Sequence, residues 1–207
     1  DGVPNQRAAE RALKKSTNLM KILQCINEFR KKDPATPVVL FSYLNPVYSF
    51  GYESFARRCR KSGVDGCLFV DMPYDEELFL QRKLRGKGVH TIFLVAPTTE
   101  KKRLSDIAGK TKGFLYAVSS LGVTGLRKNF EKGFSSYIRN IRKYCHHPLC
   151  VGFGISSPDM AKKASRYADG VIVGSAVVSR IEKNLSRKKD MKNDIMRFVR
   201  SIRKALS

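Results

Sequence analysis

The sequence predicts an α/β fold, a (β/α) barrel, and three observations carry that prediction. Short continuous apolar runs rich in β-branched residues recur at fairly regular intervals, amphipathic stretches of helical period lie between them, and the glycine-rich segments follow the last three runs. Runs that are continuous, not alternating, belong to parallel strands covered on both faces, and parallel strands need helical crossovers.

The strands are expected at 37–41, 66–70, 91–95, 113–118, 149–152 and 170–173, each bounded by turn or polar residues. Leu19, Ile22, Leu23, Ile26 and Phe29 make one helical stripe that Ser16 or Thr17 would cap and Pro34 would end. Tyr52, Phe55, Ala56 and Cys59 repeat the pattern, as do Phe134, Tyr137, Ile138, Ile141 and Tyr144; Ile195, Phe198, Val199 and Ile202 form a last helix. The alternation leaves an open doubly wound sheet or a barrel. No GxGxxG follows the first strand and no phosphate-loop GxxxxGK[ST] occurs, which weakens the nucleotide-binding version. Glycine after the final strands is where a barrel builds a phosphate site, so the barrel is preferred.

Composition bounds the setting. A chain of 207 residues, 42% hydrophobic and 28% charged, buries a sizeable core, and no composition shift divides it, so 1–207 is expected to be one domain. No apolar run approaches the roughly 20 residues that cross a bilayer, and no basic-then-apolar leader opens the chain. The first residue is Asp1, not methionine, which predicts a processed chain or a piece of a longer one. Five cysteines without a CxxC pair predict reduced thiols and a cytoplasmic location.

Lys and Arg number 40 against 18 Asp and Glu, a net charge of +22, which attracts anions. The basic residues are spread over nearly every helical stretch, so they are read as a solvated surface and not as a nucleic-acid or membrane interface. Only Lys101-Lys102-Arg103 and Arg187-Lys188-Lys189 cluster, at positions expected for loops or helix ends.

Three segments predict a phosphate site: Gly122-Val123-Thr124-Gly125, Gly152-Phe153-Gly154-Ile155-Ser156, and Gly174-Ser175-Ala176-Val177-Val178, each at the end of a predicted strand. Glycine lets backbone amides approach phosphate oxygens, and a helix start supplies free N–H groups and a favourable dipole. Ser175 adds a hydroxyl. Any one segment alone is adequately explained as a chain turn; three on consecutive loops favour the site.

Ser119-Ser120-Leu121-Gly122-Val123-Thr124-Gly125 and Gly152-Phe153-Gly154-Ile155-Ser156-Ser157-Pro158, with Tyr43-Leu44-Asn45-Pro46 and Asp71-Met72-Pro73, resemble the tryptophan synthase alpha subunit family. The motifs occur in the family's order, almost without gaps, from Asp1 to the last helix. The resemblance implies a phosphate-binding barrel that cleaves indole-3-glycerol phosphate to indole and glyceraldehyde 3-phosphate. It implies no cofactor or metal in this chain, and a pyridoxal-phosphate-dependent beta subunit as partner in an α2β2-type assembly. A complete barrel takes about 250 residues and eight βα units. The first strand here matches the family's third, so about two βα units are expected to be absent from this chain.

Residue by residue, Asp1 matches the family aspartate that hydrogen-bonds the indole nitrogen. The family's acid–base glutamate is expected upstream of Asp1, and these residues do not include it. Tyr116 matches a substrate-contacting tyrosine, and Thr124 a loop threonine that orders the aspartate on closure. Phe41, Leu68, Leu94 and Phe153 match the indole pocket, although Leu68 taken alone reads as core. Gly125, Gly154, Gly174 and Ser175 match the phosphate binders, while Tyr43, Asn45 and Pro73 match loops that face the beta subunit or line the site.

Two alternatives remain at this stage: an alpha-like chain that binds a beta subunit without catalysis, and another phosphate-binding barrel enzyme, for which no Lys, Cys or His pair at strand ends is evident. Cys145-His146-His147 and Cys150 resemble a metal cluster but join a helix to a strand at the far end of a barrel, so a metal is not expected. His90 is expected to be structural, and Asp71 to anchor a loop beside Pro73.

Overall fold

The computed structural model describes residues 2–72, 74–118, 127–152 and 154–207, with the side chains at 74–77 and 127–132 left outside the description. Six parallel strands form one sheet in sequential order: β1 (Val39–Ser42), β2 (Gly66–Phe69), β3 (His90–Val95), β4 (Leu115–Val118), β5 (Leu149–Gly152) and β6 (Gly170–Ile172). The sheet curls into a half-barrel, with β1 and β6 at its two ends. All six predicted strands are present, trimmed or extended by one or two residues at their ends.

The helices are α1 (Val3–Lys14), α2 (Leu19–Lys32), α3 (Leu44–Phe50), α4 (Tyr52–Ser62), α5 (Tyr74–Arg85), α6 (Lys101–Lys110), α7 (Arg127–Arg142), α8 (Pro158–Ser165), α9 (Ser175–Lys183) and α10 (Lys188–Leu206). They form because each places an apolar stripe at helical spacing. In α4, Phe55, Ala56, Cys59 and Ser62 are buried at i, i+1, i+4 and i+7, and Gly63 ends the helix in the left-handed region. In α2 the cap differs from expectation. Asn18, not Ser16 or Thr17, accepts the Lys21 N–H at 3.0 Å, because Ser16 has already turned to φ 54.

Lys101-Lys102-Arg103 is the first turn of α6, a helix end as expected for this cluster. One further expectation is corrected. Asn45 lies in the first turn of α3, where Pro46 is tolerated because the N–H it lacks would be unpaired there anyway.

Alternate strand residues pack under the helices. Leu40, Cys67 and Phe69 join Phe55, Cys59 and Leu80 in one cluster, while Phe93, Val95, Leu115, Ala117, Leu149 and Val151 join Leu104, Ile138 and Ile141 in a second. A third sits around β6, where Ile155 and Ala161 meet Phe198 and Ile202 of α10. The expectation of strands buried on both faces holds for β2 and fails at the ends of the sheet. Phe41 of β1 is 59% exposed and β6 is only half-buried, because six strands curl without closing and leave the concave face of the end strands uncovered.

At the N-terminal ends of the strands one device occurs twice. Asp65 accepts the Val38 N–H and pairs with Arg30 of α2; Asp169 accepts the Leu149 N–H at 2.7 Å and pairs with Arg142 of α7. Each aspartate stands just before a strand and ties it to the neighbouring strand and to the helix preceding that neighbour.

Candidate functional site

The residues that alternate with the core-packed ones face the concave side. Register puts Phe41 beside Leu68 and Leu94 beside Tyr116, and parallel partners point the same way. Phe41, Leu68, Leu94 and Tyr116 therefore share one face, which brings together three of the residues expected to line the indole pocket and the expected substrate-contacting tyrosine, from four different strands. Leu68 is buried at its centre, 3% exposed, while Leu94 and Tyr116 are half-buried.

Tyr116 is held by the strand beside it. A Cβ built on Gly152 would lie 2.3 Å from the Tyr116 Oη and 2.4 Å from Cε2, so the phenol ring runs across the space that any other residue at 152 would fill. Burial pushes the Tyr116 hydroxyl above the ordinary value, which keeps it a neutral hydrogen-bond donor at physiological pH. Cys150 also faces this side, with its Sγ against Gly170; burial, then the charge of Asp169, raise its thiol pKa.

Two helices begin at the same end of the sheet, where anion ligands bind in this architecture. Gly154 follows β5 with φ +77, a left-handed conformation that favours glycine, and Ser157 then caps α8 by accepting the Met160 N–H. Gly174 precedes α9, with nothing within 4 Å of where its Cβ would be, and the exposed Ser175 is the first helical residue. The first intrahelical bonds of α9 run from Val177 and Val178 to the Gly174 carbonyl, which leaves the N–H groups of the first turn directed out of the helix.

One link here was not legible beforehand. α1 packs against α9, and Glu182 of α9 takes Arg7 in a bidentate pair at 2.8 Å and Arg11 at 2.7 Å. The helix that opens two residues after Asp1 is thus fastened to the helix that opens with Ser175. Hydrogen bonds from Arg7 and Arg11 hold the Glu182 carboxyl below its usual range. The partners are 175 residues apart for Arg7, and no local spacing announces them.

Asp71 accepts the Leu44 N–H at 2.8 Å, so it anchors the start of α3, as expected of a loop anchor. Asn45 is exposed on that helix. Cys145 is buried under the helices while Cys150 faces the concave side, so the apparent metal cluster points to opposite faces of the sheet. Among the described residues no group of three His, Cys, Asp or Glu converges. His90 opens β3, donating its N–H to the Asp65 carbonyl. Asp1, Pro73, Thr124, Gly125 and Phe153 lie outside the described residues.

The family model for "Tryptophan synthase alpha chain" matches residues 1–207. The chain belongs to this family. The tryptophan synthase alpha chain of Neisseria meningitidis serogroup B is 47% identical over 184 residues, covering 89% of this chain and 70% of that relative. The tryptophan synthase alpha chain of Geobacillus sp. is 38% identical over 208 residues, covering 98% and 79%. Among solved structures, tryptophan synthase subunit alpha from Legionella pneumophila superposes with a TM-score of 0.90 at 35% identity, covering 100% of this chain and 76% of that one. A chain of the tryptophan synthase complex from Pyrococcus furiosus gives 0.83 at 33% identity, covering 98% and 80%. The half-barrel is therefore a large part of a tryptophan synthase alpha barrel, a family of lyases of tryptophan biosynthesis. No helix among the described residues is long and apolar enough to cross a membrane.

Proposed function

We propose that this chain acts as a tryptophan synthase alpha subunit, with residues 1–207 as one partial-barrel domain that binds indole-3-glycerol phosphate and takes part in its retro-aldol cleavage. The observation that carries the proposal is the juxtaposition, at one end of the sheet, of an apolar concave face with the starts of α8 and α9. An indole ring fits the first and a phosphate dianion the second.

In this reading Phe41, Leu68, Leu94 and Phe153 exclude water from the indole. Gly125, Gly154, Gly174 and the Ser175 hydroxyl hold the phosphate, and Tyr116 presents a neutral phenol to the glycerol side of the substrate. Cleavage protonates indole C3, removes a proton from a glycerol hydroxyl and breaks the carbon–carbon bond between them, with positive charge on the indole nitrogen in between. Asp1 would offset that charge, and Thr124 would order Asp1 when its loop closes. The α1–α9 junction supports this assignment, since it fastens the helix following Asp1 to the helix following Gly174.

The partner is a beta subunit that carries pyridoxal phosphate, in an α2β2-type assembly in the cytoplasm; this chain supplies no cofactor. The surface that supports docking is aromatic. Tyr48 is 68% and Phe79 51% exposed, joined through Tyr52 by ring contacts, beside Tyr43 and Asn45 at the end of the sheet where β1 leads into α3. Pro73 belongs to the same set.

Turnover of indole-3-glycerol phosphate, measured on the 207-residue chain and on the full reading frame that encodes it, with and without a beta subunit, tests the proposal. Indole release in any of these arms is expected. Its absence in all of them would overturn the reading.

A further inference from the structure

The outer layer holds a second candidate site, independent of the reaction. At the junction of α3 and α4 lies an open groove of about 470 Å³ lined by Phe50, Ser54, Arg57, Arg58 and Lys61. Ser54, Arg57, Arg58 and Lys61 stand at i, i+3, i+4 and i+7, which is one face of a helix. The opposite face of α4 is the buried stripe of Phe55, Ala56, Cys59 and Ser62. The groove is therefore on the far side of the helix layer from the concave face.

A row of cations on a helix is ordinarily a solvated surface, and three observations set this one apart. The cations line a concavity and not a ridge, and Ser54 and Phe50 share its lining. Among the described residues Arg57, Arg58 and Lys61 have no ion-pair or hydrogen-bond partner. The acid of the same helix, Glu53, already pairs with Lys83 at 3.3 Å and Lys87 at 3.5 Å and makes no ion pair with them. Three charges with no acidic partner among the described residues, within about one helical turn of rise, roughly 6 Å, match a compact anion carrying two or three negative charges. Two guanidinium forks match the paired oxygens of a phosphoryl group, and three cations together match the charge of two such groups.

We infer that this groove binds a small ligand bearing a diphosphate group, held by Arg57, Arg58, Lys61 and the Ser54 hydroxyl, with Phe50 available to a flat ring attached to it. Free pyrophosphate and a nucleoside diphosphate share that chemistry, and the test separates them.

Titration calorimetry of the protein expressed from the full reading frame that encodes this chain, with sodium pyrophosphate and with ADP, at a salt concentration where the Debye length is about 8 Å, screens the long-range attraction of the chain's +22 charge. Saturable binding of at least one of the two is expected. The Arg57→Gln/Lys61→Gln variant is expected to weaken it about tenfold or more, the value of one charge-assisted hydrogen bond. The Lys101→Gln/Lys102→Gln variant, which removes the same charge elsewhere, is expected to bind as the parent does. ADP binding tighter than pyrophosphate, with the advantage lost in Phe50→Ala, assigns the ring to Phe50; equal affinities assign recognition to the diphosphate alone. No binding of either probe, or an equal loss in both charge variants, overturns the inference. All three cations are exposed, so circular dichroism of the variants is expected to match the parent, and Arg58→Gln gives an independent second reading.

Discussion

At the scale of single residues, the site depends on a contact between a side chain and a missing one. Tyr116 was legible as a strand-end tyrosine, and Gly152 as part of a glycine-rich segment, but their mutual dependence was not, because it follows from the β4–β5 register. Gly152→Ala forces the phenol out of its place. A displacement of about 1 Å at a substrate-orienting group costs on the order of 100-fold in rate, so a loss of that size in kcat/KM on indole-3-glycerol phosphate is expected, read against a urea midpoint that shows how much stability falls with it. Ser175→Ala removes the hydroxyl assigned to the phosphate dianion, a hydrogen bond to a charged acceptor worth about 1.5–3 kcal/mol, and is expected to weaken substrate binding by about tenfold or more while leaving the melting temperature nearly unchanged. Thr124→Val is expected to cut turnover far more than stability, since its assigned role belongs to loop closure; equal losses in activity and melting temperature would contradict that role. The Arg7–Glu182 and Arg11–Glu182 pairs lay beyond any sequence argument, because one surface arginine among 40 cationic residues carries no mark of its partner.

At the scale of elements, the strands and the long amphipathic helices were legible because burial imposes a period on them. α3 was not: seven residues are too few to show a stripe, and Asn45-Pro46 reads as a turn until Asp71 is seen holding the Leu44 N–H. The paired aspartates at strand starts give this scale its prediction. Burial would raise the Asp169 pKa, but the Leu149 N–H and Arg142 outweigh it and hold the carboxyl below its ordinary 3.8. Asp33 and Glu53 are lowered as well, Asp33 chiefly by Thr36 and Glu53 chiefly by Lys83. A carboxylate whose pKa is depressed on folding contributes stability that is complete above its unfolded value and is lost as pH falls through the folded one. With ordinary values of 3.8 for Asp and 4.5 for Glu, the thermal midpoint is expected to be flat from about pH 7 to 5 and to fall below about 4.5. Asp169→Asn is expected to lower the plateau and to flatten the acid decline; an unchanged acid limb in that variant would show that the staple contributes nothing.

At the scale of the whole molecule, alternation of strand and helix fits a doubly wound sheet as well as a barrel, and the glycines after the last strands decided for the barrel and its sequential, curled strands; how far the sheet closes was not legible, since closure depends on stagger between strands that no single run encodes. Six strands leave β1 and β6 as sheet ends with Phe41 and neighbouring apolar surface uncovered, and such edges invite association. The 207-residue chain by itself is therefore expected to be of low stability, with sedimentation showing concentration-dependent association; a chain that stays monodisperse at every concentration would refute this. Among the described residues, extensive contacts join elements no more than a few places apart along the chain, except for α1 on α9. That exception sets how the molecule bears load. Pulled by its two ends, a sheet whose strands pair only with the next in line would peel strand by strand at low force. The three guanidinium–carboxylate bonds at Glu182 lie between residue 7 and residue 182, so they stand across the pulling axis as a clasp. Force spectroscopy is expected to show one initial rupture that vanishes in Glu182→Gln, followed by a shallow sawtooth that does not.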